Sequence, residues 1–195
     1  MFKLNASSVA LIIGNLVPII GVLFFSWQLF PIILLYWLEN VIIGVFNVIK
    51  MLTCADKKSF AAKLFMTAFF SVHYGLFCMV HGTFVVELFG SDDDELIHVI
   101  PIVLASGIKW ALLALMLSHA FSLFSNYFLA REYQRLSTSD IMFLPYRRII
   151  VLHVFIIFGA MALSTFGVSQ LGLVALAAIK IAADWLAHNI EHRRA

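Results

Sequence analysis

Charge is scarce in this sequence. Only 12% of its 195 residues are Asp, Glu, Lys or Arg, against 63% hydrophobic residues. With a mean hydropathy of +0.99, that balance excludes a soluble domain, whose interior is too small for so much apolar surface. The net charge of +2 averages over loops of opposite sign and implies no nucleic-acid partner. Cysteine is nearly absent. Cys54 falls in a predicted loop and Cys78 inside a predicted helix, so no disulfide framework is implied. The first apolar stretch is like a signal-peptide core but lacks a small-residue cleavage site after it, so it reads as a retained span. There is no internal repeat, no linker and no local metal motif of the H-E-x-x-H kind. Residues 1–195 read as one transmembrane domain.

What is present is a series of long apolar runs. A helix needs about 20 apolar residues to cross the hydrocarbon core. By that measure the fold class is all-α, a polytopic membrane bundle of six transmembrane helices. The expected spans are residues 6–25, 29–52, 62–88, 99–129, 145–165 and 170–189. Pro18 should kink the first, and Pro31 sits in the first turn of the second, where a missing N–H costs little. Between the fourth and fifth spans, Ser137-Thr-Ser-Asp140 fits a capping box. It predicts a short interfacial helix that Pro145 ends.

Loop charge sets the orientation. Lys50, Lys57, Lys58 and Lys63 surround the second loop, and Arg131, Arg135, Arg147 and Arg148 the fourth. Lys3 begins the chain and Arg193 and Arg194 end it, whereas the third loop is Ser91-Asp92-Asp93-Asp94-Glu95. Basic loops face the cytoplasm, so both termini are expected there, in a cell inner membrane.

Against this apolar background, ionisable residues inside spans stand out, because burying them in lipid is expensive. The last span and the residues just after it carry Lys180, Asp184, His188 and His192 every fourth position, on one slowly turning helix face. Glu39, His73, His119 and His153 each lie in a different span. At ~1.5 Å per residue, Glu39, His73, His119, His153, Asp184 and His188 fall between ~6 and ~18 Å from the basic side. Imidazole and carboxylate at one depth suit a transition metal. His73, His119, His153, Asp184 and His188 are therefore the expected metal ligands, zinc first and iron second. Glu39 is the expected general base or shuttle. Asn126 and Tyr146 are candidates to satisfy the second ring nitrogens of the histidines. His81, about 12 Å above His73, is left outside the ligand set. Asn40 and Asn47 are explained by hydrogen bonding between helices.

Several strings carry a resemblance. They are Tyr36-Trp-Leu-Glu39-Asn-Val-Ile-Ile-Gly44-Val-Phe-Asn47, Phe69-Phe-Ser-Val-His73-Tyr-Gly75 and His81-Gly82-Thr-Phe84. Leu117-Ser-His119, Asn126-Tyr127, Glu132-Tyr133, Pro145-Tyr-Arg-Arg148-Ile, Leu152-His153 and Asp184-x-x-x-His188 follow. With these the chain resembles an uncharacterised family of bacterial multi-pass membrane proteins, a domain of unknown function. Such relatives often have a small residue where Asn40 stands and a Gly where Arg131 stands. The resemblance implies one membrane domain built around these polar residues and no particular activity.

Three functions are expected from the residues. The first is an intramembrane metal-dependent enzyme, hydrolase-like, in which the metal generates hydroxide from bound water. Its substrate would be a lipid arriving laterally or a small molecule. The second is an ion- or proton-coupled transporter using the same groups. The third is a haem b protein with two axial histidines.

Overall fold

The computed structural model describes residues 29–91, 95–105 and 108–166. The first and sixth expected spans, with Asp184 and His188, lie outside the described residues. Those that are described form helices and connections, with no strand. The helices are α1 (Leu29–Thr53), α2 (Phe60–Phe89), α3 (Val99–Ala105), α4 (Ile108–Ser122) and α5 (Thr138–Phe166). A π-helix, Leu123–Leu129, continues α4. Four of these segments are long and apolar enough to cross a membrane, corresponding to the second to fifth expected spans. The chain is accordingly described as a helical membrane protein.

Local sequence explains where the helices begin and end. Ser59 caps α2 by accepting the Ala62 amide at 3.3 Å. The capping box read at Ser137 is formed: Ser137 Oγ accepts the Asp140 amide at 3.2 Å, and the Asp140 carboxylate accepts the Ser137 amide at 3.2 Å. The helix it opens does not stop at Pro145, however. α5 runs through the proline for 29 residues. Pro145 has no N–H to give the carbonyl four residues back, at Ile141. That carbonyl is instead bonded by Asn47 Nδ2 of α1 at 3.0 Å, from a side chain that is itself buried. A neighbouring helix supplies the missing donor, so the helix continues.

Side-chain pairs fix the helix directions. Trp37 meets Gly82 and Gly44 meets Tyr74, so α1 and α2 are antiparallel. His73 meets Tyr146 and His81 meets His153, so α2 and α5 are parallel. Phe46 stacks on His119 while Tyr127 Oη donates to the Lys50 carbonyl at 2.7 Å, so α1 runs parallel with α4 and its π extension. Two apolar clusters fill the bundle. Ile33, Leu34, Trp37, Val85, Val86, Leu152 and Ile156 belong to one, and Met51, Phe70, Tyr74, Tyr127, Ile141 and Ile149 to the other.

The second cluster lies at the basic end, where two connections are clipped together. The Ala55 amide donates to the Tyr133 carbonyl at 2.8 Å. The Thr138 amide donates to Asp56 at 2.9 Å, and Lys58 Nζ lies 3.0 Å from the same carboxylate. These two donors hold the Asp56 carboxyl well below the usual carboxylate range. Lys63 Nζ closes the loop onto the Cys54 carbonyl.

Candidate functional site

Glu39, His73, His81, His119, Arg148 and His153 make polar contacts along the faces where α1, α2, α4 and α5 meet. Joining α1 to α4 and α5, Glu39 Oε1 accepts Arg148 Nη1 at 3.0 Å and lies 3.4 Å from His119 Nε2. The Arg148 side chain is 54% exposed and Glu39 only 24%. One carboxylate therefore answers a guanidinium of α5 and an imidazole of α4.

The second pair joins α2 to α5. His73 Nδ1 and Tyr146 Oη are 2.7 Å apart. The imidazole is stacked on Phe69 with centroids 5.3 Å apart and tilted against Phe77 at 5.1 Å. Phe77 stacks in turn on His81 at 6.1 Å. Phe69, His73, Phe77 and His81 are four residues apart, so α2 carries an alternating ladder of phenyl and imidazole rings.

The third pair lies two turns further along. His81 Nε2 is 2.8 Å from His153 Nδ1, and His81 Nδ1 is 2.7 Å from the Phe77 carbonyl. These distances order the protons. A carbonyl only accepts, so His81 carries its proton on Nδ1. Its Nε2 then holds a lone pair, and His153 Nδ1–H is the donor. In the neutral pair, the ring nitrogen left with an open lone pair is His153 Nε2. His81 is buried and His153 exposed, so the open nitrogen belongs to the accessible ring.

Among the described residues, no three His, Cys, Asp or Glu side chains come together as a metal-binding group. His73, His119 and His153 each meet a different polar partner rather than one centre. His153 does not share the depth of His73, since it pairs with His81, eight residues further along α2, and the reason is Pro145. Counting the span from Pro145 puts His153 level with His73. Counting from Thr138, where α5 begins, moves His153 seven residues, about 10 Å, further in. That brings it level with His81, the imidazole left outside the ligand set. Asp184 and His188 lie outside the described residues.

Of the residues expected to support the histidines, Tyr146 is in place on His73. Asn126 is not. It is exposed and bonds Ser122 Oγ of its own helix at 3.2 Å. The wider i→i+5 winding of Leu123–Leu129 turns it out and leaves Tyr127 buried at the interface. Asn47 bridges helices as expected. The Asn40 side chain instead bonds the Tyr36 carbonyl within α1, while its backbone carbonyl accepts Tyr74 Oη at 3.1 Å.

No curated protein and no solved structure matches this chain. A family model does match, over residues 2–195, almost the whole length. The polar strings that pair off in the bundle all fall within that match, and the chain belongs to this family of unknown function, DUF6498.

Proposed function

We propose that the protein is a proton-coupled membrane transporter whose working groups are the two polar pairs and the Glu39 cluster of the bundle. The observation that carries this reading is the hydrogen bond between His81 and His153, two imidazoles from parallel helices with no carboxylate or third ligand beside them among the described residues. Such a pair accepts one proton. The proton adds at His153 Nε2, the open lone pair. The Nδ1 proton of His153 can then cross to His81 Nε2, leaving the positive charge on His81 with its Nδ1–H still held by Phe77. Return of the proton reverses each step. His73 with Tyr146, and Glu39 with His119 and Arg148, extend titratable groups toward the basic end. Ionisable groups in a span are expected to serve ion and proton paths.

Reconstitution tests this. In proteoliposomes holding a pH-sensitive dye, an imposed membrane potential should drive acidification that His153→Gln and His81→Gln abolish. Equal proton movement in both variants and the unaltered protein contradicts the proposal.

A second reading is the intramembrane metal site, and one observation favours it. The Nδ1–H of His81 is held by a backbone carbonyl, the arrangement that orients metal-binding imidazoles. His81 and His153 would then be two ligands, with zinc or iron as the ion. Metal that co-purifies with the protein and is lost in His81→Ala would select this reading.

A further inference from the structure

At the basic end, one backbone feature stands apart. Arg131 is the one described non-glycine residue with a positive φ, at φ 59° and ψ 31°. A side chain in this left-handed region is disfavoured, and glycine occupies it freely. The side chain at Arg131 is exposed and has no carboxylate partner among the described residues. Strain kept at such a position points to a use for the side chain.

The surroundings indicate the use. Arg131 lies two residues beyond the candidate span Ile108–Leu129, which is headgroup level. Lys57, in the connection between α1 and α2, and Arg135 are likewise exposed and unpaired with carboxylates among the described residues. The Ala55–Tyr133 and Asp56–Thr138 bonds clip their two connections into a single cap. Of the acids on this cap, Asp56 is taken by Thr138 and Lys58 and Asp140 by Ser137, while Glu132, beside Arg131, makes no ion pair among the described residues. Three cations on a fixed frame at the edge of the spans form a surface for the phosphates of anionic lipids.

We propose that Arg131, Lys57 and Arg135 bind anionic phospholipid headgroups, with Arg131 held in a strained conformation as the central contact. The test uses the full chain released from bilayers of equal phosphatidylglycerol and phosphatidylcholine, with bound lipid read by native mass spectrometry. The protein should retain phosphatidylglycerol preferentially. Arg131→Gly should lower that preference about fivefold, the effect of one cation near the surface. The same variant should melt at a higher temperature in detergent, because glycine relieves the backbone. Arg131→Lys should keep the lipid preference without the thermal gain. If Arg131→Gly does not fold, Lys57→Gln with Arg135→Gln carries the lipid test. An unchanged phosphatidylglycerol preference in the folded charge-removing variant, or no preference in the unaltered protein, overturns the proposal.

Discussion

Asn47→Leu will destabilise the bundle by about 2 kcal/mol, and the loss will largely vanish when Pro145 is also replaced by Ala. In the unaltered chain the Ile141 carbonyl receives Asn47 Nδ2 because residue 145 has no N–H to offer. Leucine at position 47 leaves that carbonyl buried without a donor, a cost of about 1–3 kcal/mol. Alanine at position 145 restores the helical N–H, so the carbonyl is satisfied whether or not Asn47 is present. The four proteins form a double-mutant cycle, read by chemical denaturation in mixed micelles. The two substitutions should couple strongly, with Pro145→Ala rescuing Asn47→Leu. Additive effects would show that Asn47 does not stand in for the missing amide.

Gly82→Ala should cost about 1–3 kcal/mol by overpacking. A Cβ at Gly82 would lie 2.5 Å from Trp37 Cζ2 and 2.9 Å from Leu96 Cδ1. The indole cannot easily retreat, since its Nε1–H donates to the Cys78 carbonyl at 2.7 Å inside the same contact. Gly75→Ala, two turns away on the same helix, is the control. Nothing lies within 4 Å of a Cβ there, and alanine in a helix should stabilise by about 0.5–1 kcal/mol. Two identical substitutions on α2 should thus move stability in opposite directions. Trp37→Phe should soften the penalty at Gly82 by withdrawing the ring that clashes. A Gly82→Ala protein as stable as the unaltered one would mean that α1 and α2 pack less closely than described.

Sequence legibility followed the strength of the physical signal. Long apolar runs and the capping box at Ser137 are local patterns, and the structure has both. The end of a helix at Pro145 was also a local inference, and a residue 98 positions earlier overrode it. No local pattern relates Asn47 to the Ile141 carbonyl. That single difference reaches the site, because the depth of His153 depends on where α5 begins. Shifted seven residues along α5, His153 meets His81. Its spacing of eight from His73 puts His81 near the same face of α2, a signal the expected ligand set passed over. The outward turn of Asn126 had no sequence signature, since π winding depends on how Tyr127 packs against α1. The left-handed turn at position 131 had no signature in this sequence. It holds an arginine, which sequence patterns do not place at a positive φ.

Solid-state NMR of the 15N-histidine-labelled protein in bilayers reads the His81–His153 bond itself. A hydrogen bond with its proton between two imidazoles carries a 15N–15N coupling, and among the described residues one pair is placed to show it, His81 Nε2 and His153 Nδ1. Such a coupled pair is expected at neutral pH, with both rings protonated on Nδ1, and it should be lost in His153→Gln. Both rings uncoupled, or His81 protonated on Nε2 and released from the Phe77 carbonyl, would contradict it.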